Sequence, residues 1–332
     1  MAPKLRRLTD RLLSQGSAAD AHHAVARATA HHPSTAPPSA HHLDALLAFG
    51  RGSRLSAAAL ASALVGRLRA AASGDGDAPV ALKCLVALRV LLARGAFILR
   101  DQLLAKLVRH PASGRNPLAL AAFPLGRSSF AAASWVRFSA RLLELLLLLP
   151  DAPADDAEYL AALPNPHLVA ELKAFAAVAD AVRNAPPPSS APEHNALIWE
   201  AIRLSEEDRV AAERNVAARV QEMGERLDTL SLADAVELVC VLRRVEESAA
   251  SSSLPPEWKW AALDERVVCA ARRLRGRAEE VVLRRTGEER RVVRRDAGPS
   301  ASARVLLPIC SGGSEAIRFG STRSAGTISA WR

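Results

Sequence analysis

The chain has 332 residues, is 49% apolar but only 4% aromatic, and carries a formal charge of +9. That length can bury a substantial core, and thin Ala and Leu side chains suit close helix–helix packing better than a sheet. Four cysteines (Cys84, Cys240, Cys269 and Cys310) lie far apart without CxxC spacing, which excludes a zinc ribbon or a disulfide framework and points to a reducing, cytosolic setting. The longest apolar run, from Leu142 to Leu149, is broken by Glu144 and stopped by Pro150. It falls short of the ~20 residues that cross a bilayer. Residues 1–16 lack the continuous apolar core of a signal peptide. The positive balance leaves an anionic partner open, either nucleic acid or an acidic membrane surface. Only five of the 44 basic residues are lysine, so arginine richness reflects codon bias as readily as function.

Taken in order, residues 3–15 place Leu5, Leu8 and Leu12 at helical spacing, with Lys4, Arg6, Arg7 and Arg11 on the remaining face. This is a basic amphipathic helix of the kind that lies on a membrane surface. A helix docked on the body through its leucines, or an arginine-rich transit segment, fits the same pattern. Ser17 and Asp20 open the next helix as a capping box, and it runs to about Ala30. There follows a proline elbow, Arg27-Ala-Thr-Ala-His-His-Pro-Ser-Thr-Ala-Pro-Pro-Ser-Ala-His-His-Leu43, with a histidine pair on each side. Pro33, Pro37 and Pro38 cannot continue a helix and hold their predecessors extended, so the elbow is a fixed turn between helices.

Helices are then expected over residues 41–49 and 54–72, the latter closed by a flexible Ser73-Gly-Asp-Gly-Asp77. Residues 80–95 are apolar almost all round, with Lys83, Arg89 and Arg94 as exceptions, and read as the centre of a bundle. Residues 96–108 continue as helix, a polar loop spans His110 to Asn116, and 130–149 form another core helix. Pro150 to Pro153 mark a soft boundary. Beyond it come helices at about 155–184 (interrupted near Pro164 and Pro166), 195–223, 231–247 and 257–277. From Arg272 to Arg295 dense charge with scattered Val suggests a frayed helix or a hairpin. The Gly/Ser/Ala-rich tail, 291–332, is expected to be disordered. The fold class is all-α.

No catalytic constellation is visible, and the chain is not expected to be an enzyme. Asp155-Asp156 and Glu206-Glu207 are read as acids at helix starts, favoured there by the helix dipole. Tyr159, the single tyrosine, has no evident partner. The adjacent histidines His22-His23, His31-His32 and His41-His42 point to different helix faces and lack ligand spacing, so no metal and no cofactor are expected. A polar, partly cationic surface is the better reading. Its histidines would donate to an anion more readily below pH ~6.5.

Three stretches together resemble a known family. Arg27-Ala-Thr-Ala-His-His-Pro…Pro37-Pro38…His42-Leu43 is similar to the Lys-Ala-Thr-x-His-(Asp/Glu)-Pro…Pro-Pro…His-Leu signature of the ANTH-domain clathrin-assembly proteins. Val80-Ala-Leu-Lys-Cys-Leu…Leu92-Ala-Arg-Gly-Ala-Phe97 and Ala133-Ser-Trp-Val-Arg-Phe138 with Leu143-Glu144 resemble two further helices of that family, in the same order. The overall pattern is similar to short plant members.

The resemblance implies an irregular right-handed α-solenoid, an ENTH/ANTH-like superhelix. It divides the chain into an N-terminal helix (1–16), a helical domain (17–290, with a membrane-binding part 17–150 and a helical extension 151–290) and a tail (291–332). It further implies a monomer that binds phosphatidylinositol 4,5-bisphosphate on the cytosolic face of plasma-membrane coated pits, with coated vesicles and the Golgi as further locations. Clathrin heavy chain and a vesicle SNARE helix are the implied protein partners. The headgroup residues carried over are Arg27, which can hold phosphate bidentately, and His42. His23 stands one turn before Arg27 where many members have Lys, and His41 stands with Ser39 and Ala40 in place of the family's lysine cluster. Two other readings remain open beside this one. A basic helical scaffold could bind nucleic acid, although no stacking aromatics accompany its charges. A protein–protein module could have lost its lipid site.

Overall fold

The computed structural model describes residues 18–108, 114, 116–124, 130–150, 156–188, 194–250 and 264–296. The expected basic helix at 3–15 lies outside the described residues, as does the chain from 297 to 332. The described residues form eleven α-helices and no strand, as an all-α reading requires. They are α1 (18–28), α2 (Ala40–Ala48), α3 (Arg54–Ala72), α4 (Ala78–Arg94), α5 (Phe97–Leu107), α6 (Phe130–Leu146), α7 (Ala157–Ala162), α8 (Asn165–Arg183), α9 (Ala196–Glu225), α10 (Leu232–Ala250) and α11 (Glu265–Asp296).

Local chemistry explains where several helices begin. Ser39, Ser53, Asp77, Asp156 and Asn195 each precede a helix and accept the backbone N–H three residues on, satisfying one otherwise orphaned donor. Pro79 sits in the first turn of α4 and Pro166 in that of α8, where the missing N–H costs nothing.

Two apolar cores are stacked along the chain. The first joins α1 to α6 and is closed by the beginning of α9, from Leu197 to Leu204. The second joins α7 to α11, with Leu142 of α6 and the second half of α9. Twelve of the 17 residues of α4 are buried, and it packs on α2, α3, α5, α6 and α9. This is the central position its all-round apolar pattern predicts. At 30 residues α9 is about 45 Å long, enough to serve both cores.

The structure corrects four local expectations. The Ser73–Asp77 segment is an ordered turn: Gly74 and Gly76 take φ of +62° and +72°, and the Asp77 N–H donates to Ala71 O at 2.8 Å. Glu206 and Glu207 lie inside α9 rather than at a helix start, and Glu207 pairs with Arg203 one turn back. Tyr159 has a partner, its hydroxyl lying 2.5 Å from Glu171 Oε1. Finally, the charge-dense segment after Arg272 belongs to one 32-residue helix, α11, Glu265–Asp296, while the expected start of that helix at 257 lies outside the described residues.

The reason for that last difference is tertiary. Val267, Ala271, Leu274, Ala278 and Val281 are buried at alternating steps of four and three, a narrow seam against the second core. The arginines around the seam find fixed acceptors. Arg275 reaches Glu246 at 2.6 Å, Arg277 reaches Gly224 O at 3.1 Å, and Arg284 reaches Asp228 at 3.1 Å.

Candidate functional site

The elbow between α1 and α2 is pinned from three sides. From α4, Lys83 reaches up through the core and its Nζ donates to both Ala30 O and Pro33 O, each at 2.7 Å. Lys83 is only 3% exposed; burial pushes its ammonium below the usual lysine range, with Asp77 pulling the other way. Asp77 caps α4 through Oδ1 and sets Oδ2 2.9 Å from His31 Nδ1. From α3, Arg67 Nη2 approaches Thr29 O at 3.4 Å. From α9, the Leu197 N–H donates to Thr35 O at 2.7 Å. The His32–Pro33 peptide is cis. Pro38 is buried, and Ser39 then starts α2 by accepting the His42 N–H at 3.3 Å.

On this frame the sequence-derived site residues fall as follows. His23 and Arg27 are both exposed on α1, four residues and hence one turn apart on the same face. His41 is exposed and His42 half-buried in the first turn of α2, their rings 5.8 Å apart. The two pairs lie on the two helices that the elbow joins. Lys4, Arg6, Arg7 and Arg11 lie outside the described residues. His31 and His32, not singled out as ligand residues, are exposed at the elbow itself with rings 4.6 Å apart edge to face. Among the described residues no group of three or more His, Cys, Asp or Glu is placed to hold a metal ion. Chemically the arrangement offers one fixed guanidinium and several imidazoles on a braced turn, donors suited to an anion with several oxygens.

No protein-family model matches the chain. A protein of Arabidopsis thaliana named "putative clathrin assembly protein" is 36% identical over 242 residues, covering 68% of this chain and 63% of the relative. The chain thus spans a little under two thirds of that relative's length. The chain is homologous to this protein of the ANTH-domain clathrin-assembly family.

Clathrin-assembly proteins are non-enzymatic, and the geometry gives the three family-like stretches a physical sense. The first is the elbow. The second is α4, whose lysine, Lys83, holds two elbow carbonyls. The third is α6, where Trp135 is fully buried, donates Nε1–H to Pro187 O at 3.3 Å and stands edge-on to Phe138 at 5.2 Å. Two of the three stretches therefore supply buried support rather than exposed surface. Lys83 and Asp77 are the residues that reading for ligands alone passes over. The signal that could find them is a lone lysine on an otherwise buried helix, since such a charge has to find acceptors.

Proposed function

We propose that this chain is a non-enzymatic adaptor that docks peripherally on membranes carrying phosphatidylinositol 4,5-bisphosphate and promotes clathrin coat assembly at plasma-membrane pits. The observation that carries this reading is the braced elbow. Lys83, Arg67 and Leu197 hold backbone carbonyls of the turn and Asp77 holds the His31 ring, while His23, Arg27 and His41 stay exposed beside it and His42 half so. A fixed frame loses little conformational entropy when a headgroup binds. Each basic residue near an acidic surface contributes about 1 kcal/mol, so a site with Arg27 and imidazoles in place of a lysine cluster binds more weakly than its lysine-rich counterparts. Homology to the family supports clathrin as the protein partner and coated pits and vesicles as the location.

A second partner is favoured by one observation. A cleft of about 440 Å³ between α8, α9, α10 and α11 is lined by apolar Ala176, Val216, Val241 and Val245 and by charges of both signs, Lys173, Arg183 and Arg244 with Asp180, Glu213 and Glu247. That lining suits an amphipathic partner helix, such as that of a vesicle SNARE.

Vesicle co-sedimentation of the full chain tests the lipid reading. Phosphatidylcholine vesicles with a few per cent of the bisphosphate lipid should retain the wild type, and Arg27→Ala/His42→Ala should weaken retention on the order of tenfold. Equal retention with and without the bisphosphate lipid sinks the reading.

A further inference from the structure

We infer that the opposite end of α2 carries a second membrane contact, in which Arg51 and Arg94 hold anionic lipid headgroups and Phe97 enters the bilayer interface. This rests on the lipid reading above and adds a place and a mode of contact to it. The corner is formed where the 3₁₀ turn Phe49–Arg51, which follows α2, meets the turn between α4 and α5. The approach is close: a Cβ built on Gly50 would lie 2.9 Å from Leu99 Cβ and 3.5 Å from Ala96 Cβ. Between the two turns opens a cleft of about 560 Å³, lined by Asp44, Leu47, Arg51, Arg94 and Ala96. That volume admits a phosphorylated headgroup.

Three features point to a lipid surface as the occupant. Arg51 and Arg94 are both exposed, and neither forms a salt bridge within 4 Å among the described residues. Their guanidinium groups are thus available for bidentate contact with phosphate. Beside them Phe97 is 81% exposed and Ile98 40% exposed at the start of α5, with Leu55 57% exposed at the start of α3. Arg54, neighbour to Leu55, lies 3.8 Å from Asp101 on α5, which places these two helix starts side by side. Large apolar side chains left in water beside uncommitted arginines match an anionic interface, where the ring enters the headgroup region and the guanidinium groups meet phosphates. The corner also adjoins the C-terminal end of the helix that bears His41 and His42. The nine residues of α2 span roughly 14 Å, so both ends can rest on one membrane plane.

The test uses the full chain and three vesicle compositions: phosphatidylcholine alone, phosphatidylcholine with 20–30% phosphatidylserine, and the same with the bisphosphate lipid. Arg51→Gln/Arg94→Gln should weaken binding to phosphatidylserine vesicles on the order of thirtyfold. Phe97→Ser should weaken it on the order of tenfold, and that loss should persist at 0.5 M salt, where charge attraction is screened. All three positions are exposed, so circular dichroism should show unchanged helicity. If the wild type binds no anionic vesicle, the parent reading fails. If Arg27→Ala/His42→Ala loses binding while the corner variants bind within twofold of wild type, the corner alone is overturned. Loss of binding to a coat protein by the corner variants, with vesicle binding intact, overturns it as well.

Discussion

Lys83 and Cys84 are neighbours on α4, both buried, and they answer burial in opposite ways. The lysine keeps its amine satisfied with two backbone carbonyls. The thiol, fully buried, is pushed up to about 12, mainly by loss of solvation. Its folded-state value thus exceeds its unfolded value of about 9. Between those two values the unfolded chain has released a proton that the folded chain still holds, so folding stability falls as pH rises, by roughly 1 kcal/mol per pH unit from this group. Below pH 9 the effect vanishes. Urea midpoints measured between about pH 8 and pH 11 should therefore decline less steeply for Cys84→Ala than for wild type; parallel curves would rule the thiol out as the cause. The same burial should leave Cys84 unreactive to thiol reagents in the native state at neutral pH.

At the scale of elements, the turn between α3 and α4 matters more than its glycine-rich composition suggests. Gly76 sits at φ +72°, and a Cβ there would fall 2.6 Å from Pro124 Cγ. The residue after it, Asp77, caps α4 and contacts His31, so displacement of the turn reaches the elbow directly. Gly76→Ala should destabilise the protein by about 2–3 kcal/mol, combining left-handed backbone strain with the clash. Gly66, in the middle of α3, is the contrasting case: beyond its own stretch of helix backbone, a methyl added there would meet nothing within 4 Å. Gly66→Ala should stabilise by about 0.5–1 kcal/mol through helix propensity. Thermal unfolding of both variants checks the pair of signs. The elements also show how far sequence reasoning reaches. Helices α3, α4 and α5 are readable almost to the residue, because hydrophobic periodicity and capping residues are local signals. The Ser73–Asp77 turn reads as flexible in the sequence, since part of its order comes from outside it, through the Asp77 N–H on Ala71 O and the close packing of Pro124 beside Gly76. The fate of α11 is hidden for the same reason: its arginines look like a breaking pattern until Glu246, Gly224 O and Asp228 are set opposite them.

Across the whole molecule, the two cores are joined by more than a shared helix. Arg89 of α4 grips Asp208 of α9 with Nε at 2.7 and 2.8 Å from its two carboxylate oxygens, and Nη2 adds a further contact. Asp208 is 3% exposed; burial raises its carboxyl above the usual range, and Arg89 draws it part of the way back. Removing the arginine alone leaves a carboxylate in the core. Arg89→Ala should therefore cost about 3–5 kcal/mol, while the double variant Arg89→Ala/Asp208→Ala should cost clearly less than the two single changes added together. Additive losses in urea unfolding would mean that the pair does not act as one unit.

Apolar spacing, caps and prolines act within a few residues, and they suffice for the helical class, the order of the helices and the central place of α4. The chain also carries the three family-like stretches in plain view, and hence the elbow. What the elbow is made of depends instead on packing. Lys83 lies 53 and 50 residues from the carbonyls it holds, Asp77 is 46 residues from His31, and Leu197 approaches Thr35 from the start of α9. Contacts between residues that far apart leave no periodic trace in the chain. They arise when buried polar groups, brought together by packing, must find partners or carry the cost of desolvation. The elbow is legible as a turn from its prolines, and as a braced anion-facing surface only from the helices that close around it.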